Sequence, residues 1–178
     1  MENIKNKIPD NLHVFFDELS NYLDTPLLFY GSVQRFDYLP GHSDIDVAIF
    51  TDNISSMKSK MSHFLQNDKN LFENFILRLK NRVSIGYKLM YQSIENNIMI
   101  EFSIHDIKLK EYVMKKYIEK SLLPFYISWM LILLKFIHYK LHLCNRKTFK
   151  YIKNIIFKNF TIITNEDFFV FGNKHKKI

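Results

Sequence analysis

Asp44 and Asp46 stand two residues apart in Asp44-Ile45-Asp46-Val47-Ala48-Ile49-Phe50, a run whose alternation reads as a β-strand. Side chains at i and i+2 of a strand leave from one face, so the two carboxylates lie close together. Adjacent like charges are costly unless a cation neutralises them. Hard oxygen donors suit Mg²⁺, which takes one or two carboxylates and completes its shell with phosphate oxygens and water. Mn²⁺ accepts the same donors. Upstream, Leu27 to Tyr30 reads as a short apolar strand running directly into Gly31-Ser32. Gly31 has no Cβ, so the backbone there can turn sharply and let a ligand approach its amide. Ser32 adds a hydroxyl, and a short helix opening at Val33 would present N-terminal amides that favour phosphate. A phosphate loop beside paired carboxylates is the equipment of a metal–nucleotide site.

Two-metal phosphoryl chemistry needs one more carboxylate, to hold the metal that activates the attacking hydroxyl. Ile98 to Ile104 reads as an apolar strand interrupted by Glu101, on the side shared with Met99 and Ser103. Glu101 is the expected third ligand. Asp106, at the strand's end, is the alternative.

With these residues in view, the segment Phe29-Tyr30-Gly31-Ser32, then Asp44-Ile45-Asp46-Val47 after a loop, resembles the signature of the DNA polymerase β-type nucleotidyltransferase superfamily. That signature is an apolar residue, Gly-Ser or Gly-Gly, a gap, then Asp-x-Asp or Asp-x-Glu among apolar residues. The resemblance covers roughly Leu23 to Asp106. It implies a mixed sheet with flanking helices, Ser32 and loop amides on a nucleoside triphosphate, and two Mg²⁺ on Asp44 and Asp46, with Glu101 completing the second site. Many members carry Asp at the third position, and the longer Glu101 bears on metal geometry. The implied reaction moves NMP from an NTP to an acceptor hydroxyl and releases pyrophosphate. The expected acceptor is an RNA or DNA 3′ end. The alternatives are a protein hydroxyl, as in antitoxin-like minimal members, a small aminoglycoside-type molecule, or no turnover at all in a nucleotide- or RNA-binding subunit. Met130 to Phe136 is similar to a helix of poly(A) polymerases in which a Lys reaches the triphosphate, and Lys135 is the matching residue.

Other polar residues have ordinary readings. Arg35 is expected to be a solvated loop residue, and His138, Tyr139 and Lys140 to be helix surface. His42 lies beside the Asp pair, but no second His stands at a zinc spacing. Phe15-Phe16 and Phe168-Phe169 are expected in the core, and Lys174 to Lys177 as a basic terminus.

The elements that must position these groups form an α+β pattern. An amphipathic helix over 11–23 places Leu12, Phe15, Phe16, Leu19 and Leu23 on one face and ends at Asp24-Thr25-Pro26. After the Asp strand comes a helix over 55–66, then a short helix over 72–80. Two β-rich runs, 83–91 and 98–104, are joined by a polar hairpin turn ending in Asn96-Asn97. Helices follow over 110–120, 124–143 and 147–157. The expected division is a catalytic core over 1–108 and a helical segment over 109–178 packed on it.

Composition limits the partners. Lys and Arg number 25 against 18 Asp and Glu, a net charge of +7, and the pI is near 9.3. That sign favours polyanions such as nucleic acid or nucleoside triphosphates. Cys144 is the single cysteine, which removes an internal disulfide and a cysteine zinc cluster and fits a reducing, cytoplasmic setting. Nothing after Met1 reads as a secretory signal. The apolar run Leu122 to Leu134 is shorter than the roughly 20 residues of a membrane span and reads as a core helix. With no long second domain, the chain is expected to act with a protein partner or to offer a shallow acceptor site.

Overall fold

The computed structural model describes residues 4–68, 71–79, 82–93, 98–160 and 168–171. Helix α1 (Asp10–Leu23) starts after Pro9 and stops at Asp24, whose φ of 51° puts it in the left-handed region. Its apolar stripe buries Leu12, Phe16, Leu19 and Leu23 completely or nearly so, worth roughly 1.5–3 kcal/mol for each large side chain removed from water. Strand β1 (Leu28–Tyr30) is followed by a 3₁₀ turn over Gly31–Gln34, then by β2 (Ile45–Thr51) and α2 (Ile54–Phe64). The Asn53 side chain caps α2 by accepting from the Ser56 amide. Next come β3 (Glu73–Leu79), β4 (Arg82–Ser93), β5 (Ile98–Asp106), α3 (Lys110–Ser121), α4 (Phe125–Tyr139), α5 (Arg146–Phe160) and β6 (Phe168–Phe171).

The strands form one mixed sheet in the order β1-β2-β5-β4-β3-β6. Only the central β2–β5 pair is parallel among the described pairings. Parallel neighbours need a long connection, and here α2, β3 and β4 supply it. Helices α1 and α2 cover one face, over a core that includes Ile45, Val47, Ile49, Ile100, Phe102 and Ile104. Helix α3 covers the other through Val113 and Tyr117, packed with Leu28, Ala48, Phe75 and Leu77. Helices α4 and α5 share a separate cluster built on Ile127, Leu131, Leu134, Phe149 and Ile156. The expected α+β architecture with a mixed sheet is present.

Two expectations change. The segment expected as a short helix over 72–80 is strand β3, paired antiparallel with β4 and with β6. Phe72, Phe75, Ile76 and Leu79 satisfy a helical period, while Phe75, Leu77 and Leu79 satisfy a period of two. Pairing on both edges decides for the strand, with those last three residues buried. The C-terminal part, expected to be helical, contributes β6 to the sheet edge. Of the expected hairpin turn, residues 94–97 lie outside the described residues, as does the basic stretch 174–177; β4 and β5 do pair antiparallel, Ser93 opposite Ile98.

No helix among the described residues is long and apolar enough to cross a membrane. Helix α4 buries its Ile127–Leu131–Leu134 side and exposes a second apolar stripe of Phe125, Trp129, Leu133 and Phe136.

Candidate functional site

Parallel pairing sets Asp46 of β2 directly beside Glu101 of β5, and antiparallel pairing sets Tyr30 of β1 beside Asp46. Asp44 precedes β2 by one residue. All three acids line a single cavity of about 610 Å³, together with Gly31, Ser32 and Lys135, a volume within the usual range for small-ligand sites. The far wall is α5, which brings Arg146, Lys150 and Lys153 to the cavity. Their spacing of four and three residues keeps them on one helical face.

Gly31 is required by two independent constraints. Its φ is +72°, and a Cβ placed there would run into the Asp46 carboxylate, with Asp46 Cγ 2.9 Å away. The turn therefore presses backbone against the acid that a larger residue would displace. Ser32 donates to the Asp44 carbonyl oxygen at 3.3 Å, tying the turn to the start of β2. The expected helix from Val33 is a single 3₁₀ turn, too short to contribute a developed helix dipole.

Lys135 lines the cavity and is also tied to the loop that carries Asp37. The side chain is 9% exposed, and its ammonium donates to the Asp37 carbonyl, to Asp37 Oδ2 at 3.0 Å and to Ser43 Oγ at 2.9 Å. An ammonium has three donors, and all three are committed to the loop. Burial pushes the Lys135 pKa down, and Asp37 opposes that shift. Arg35 is likewise not a solvated loop residue. Its side chain is 8% exposed and forks onto Asp37, Nε to Oδ1 at 2.6 Å and Nη2 to Oδ2 at 3.0 Å. Burial raises the Asp37 pKa, but the Arg35 hydrogen bond and charge, with Lys135, outweigh it and hold the carboxyl below its ordinary value. Asp37, which no local pattern singles out, is thus the hub that ties Arg35 and Lys135 together beside the cavity.

Asp46 is pushed up to about 7, by burial first and then by the neighbouring charges of Glu101 and Asp44, with Lys153 and Arg35 opposing. A carboxyl so destabilised as an anion is a place where a cation is favoured. Glu101 is ion-paired instead, its Oε2 2.5 Å from Lys88 Nζ. Among the described residues no three acidic, His or Cys side chains gather as a metal cage. The donor set fits a hard divalent cation at Asp44 and Asp46, with phosphate oxygens for the remainder. Asp106 lies about five residues further along β5, roughly 16 Å away at strand rise, and accepts from the Lys108 amide at 2.8 Å. It does not line the cavity.

Beneath the acids, Tyr30 stacks on Tyr117 with ring centroids 3.9 Å apart, and its hydroxyl meets Ser103 Oγ at 3.3 Å. Tyr117 OH lies 2.8 Å from His105 Nε2, and burial pushes the His105 pKa down to about 4. At the cavity mouth His42 stacks on Tyr139, and His138 on Phe149. His138 and Tyr139 are therefore cavity lining, not helix surface; Lys140 is exposed as expected. The cations of α5 are the functional candidates that sequence reading missed. Their regular spacing was visible, but not which way that face turns.

No protein-family model matches the chain, and no curated protein matches it. Solved structures do. One is the Cid1 poly(U) polymerase with MgGTP bound, 18% identical with a TM-score of 0.42, over 74% of this chain and 44% of that one. Another is the polymerase core of TRAMP, an RNA surveillance complex, 18% identical with a TM-score of 0.43, over 85% of this chain and 50% of that one. A third is the GLD-2/RNP-8 complex, 13% identical with a TM-score of 0.32, over 74% of this chain and 55% of that one. The chain thus spans about half the length of these structures. At this degree of likeness the functional reading rests on the residues of the site itself.

Proposed function

We propose that this chain is a metal-dependent nucleotidyltransferase of the DNA polymerase β-type superfamily, moving NMP from an NTP to an acceptor hydroxyl. One observation carries the reading: an acidic wall of Asp44, Asp46 and Glu101 faces a basic wall of Arg146, Lys150 and Lys153 across one cavity, with a cramped glycine turn at its base. Such a space takes a triphosphate and its cations together.

Asp44 and Asp46 would hold the divalent metal, Mg²⁺ or Mn²⁺, and Glu101 would join them at a second position. Bound metal supplies charge neutralisation and an activated acceptor hydroxyl. The chain's own residues do the positioning. Gly31 and Ser32 offer backbone and hydroxyl to phosphate, and the three α5 cations hold phosphate oxygens as point charges. Lys135 keeps the loop closed on Asp37. Catalysis by placement and electrostatics asks little of a protein acid or base.

The acceptor we favour is a nucleic-acid 3′ end, supported by the +7 charge and by Arg146 and Lys150 standing exposed at the cavity edge. The catalytic part is taken as residues 1–108 and the α5 wall as the contribution of 109–178, with a further protein partner supplying acceptor contacts. The Lys88–Glu101 pair favours one other reading, a subunit that binds nucleotide or RNA without turnover. Incubation with each labelled NTP, Mg²⁺ and RNA, DNA or protein acceptors separates these. Incorporation that is lost in Asp44→Ala supports transfer; binding of NTP with no incorporation into any acceptor supports the non-catalytic subunit. Incorporation that survives Asp44→Ala would sink the mechanism.

A further inference from the structure

Lys88 sits between two carboxylates. On β4 it pairs in register with Ser103 of β5 on one side and with Glu73 of β3 on the other. Residues directly opposite in antiparallel strands share a face, and diagonal neighbours two residues on stay within reach of long side chains. Glu101, two residues before Ser103, is such a diagonal neighbour, and Lys88 is engaged with it at 2.5 Å. Glu73 is exposed and makes no ion pair among the described residues. Lys88 and Glu101 are each only partly buried, at 26% and 21% exposure, so their bond can exchange.

We propose that Lys88 is a positioning residue that gates Glu101, holding its carboxylate in the resting chain and passing to Glu73 when a divalent cation takes Glu101. The proposal rests on the cation-site reading above. Lys88 carries the positive charge that Glu101 needs beside Asp46 before a cation arrives. It competes for the same oxygens, so the second cation position is weak until its rival moves. Glu73 gives the displaced ammonium a partner one strand away, so it need not remain beside an incoming cation of like charge.

The test is Mn²⁺ binding to the full chain without nucleotide, followed by electron paramagnetic resonance. Wild type is expected to bind one Mn²⁺ well and a second weakly. Lys88→Met strengthens the second by about fivefold or more, the scale of releasing a partly exposed ion pair. Glu73→Gln weakens it, because the displaced ammonium then has no second partner. Lys88→Arg, which keeps the pair, stays near wild type. A merely structural Lys88 would give the opposite sign or none, so unchanged or weaker second-site binding in Lys88→Met overturns the gate, as does a Glu73→Gln variant that binds like wild type. Failure of the underlying site has its own signature: no Mn²⁺ bound by wild type, or first-site binding that survives Asp44→Ala, overturns both.

Discussion

Adding one methyl group at Gly31 separates two costs that the structure distinguishes. Gly31 and Gly41 both have positive φ, +72° and +76°, but a Cβ at Gly41 meets nothing within 4 Å. Each change to Ala therefore carries the left-handed backbone cost of roughly 1–2 kcal/mol. Only Gly31→Ala adds the collision with Asp46. Asp46 has a short side chain that can swing aside, so the extra loss of stability is modest, within about 1 kcal/mol. Its carboxylate must nevertheless retreat by roughly 1 Å or more, a displacement on the scale that costs about a hundredfold in function. Urea unfolding of the two variants should give similar midpoints. Mn²⁺ titration and NTP incorporation should then part them, Gly41→Ala near wild type and Gly31→Ala down by about a hundredfold in incorporation. Equal function in the two variants would refute the claim that Gly31 exists to seat Asp46.

Asp46 also sets a pH dependence. Its pKa is raised to about 7 in the fold, above the unfolded value, so the stability it contributes is present in acid and lost as pH rises through about 7. Metal-free chain should unfold at lower urea at pH 8 than at pH 5.5, and Asp46→Asn should flatten that slope; a slope unchanged in the variant counts against the assignment. Divalent cation affinity should run the other way, rising through pH 7 as the proton is displaced. Lys135→Met leaves Asp37 buried with Arg35 as its remaining partner, and should cost about 2–4 kcal/mol by urea unfolding. If Lys135 acted on phosphate alone, stability would stay at wild type. Lys153→Ala should raise KM for NTP several-fold with little change in melting temperature; equal KM would remove α5 from the nucleotide site.

The candidate site residues were legible because their signals are local. Strand alternation put Asp44 and Asp46 on one side, and a glycine-serine turn beside an acid pair needs no long-range knowledge to be read as a phosphate and cation site. Glu101 stood out as an acid in an apolar strand, and parallel pairing with β2 delivers it to Asp46. The helices α1, α2, α3, α4 and α5 followed from their periodicity to within a few residues. Strand β3 did not, because its apolar residues satisfy two periods and only its partners on both edges choose between them.

What sequence alone determined is therefore a set of candidate groups: paired carboxylates on a strand, a Gly-Ser turn before them, and a chain of net positive charge. Tertiary structure decided which charges meet. Lys135 and Asp37 lie 98 residues apart, and no local pattern distinguishes a lysine that reaches phosphate from one buried against a loop carboxylate. Lys88 on Glu101, and the α5 cations turned toward the acids, depend in the same way on strand register and helix rotation. Charge acts through space over a few ångströms, while sequence patterns report only along the chain.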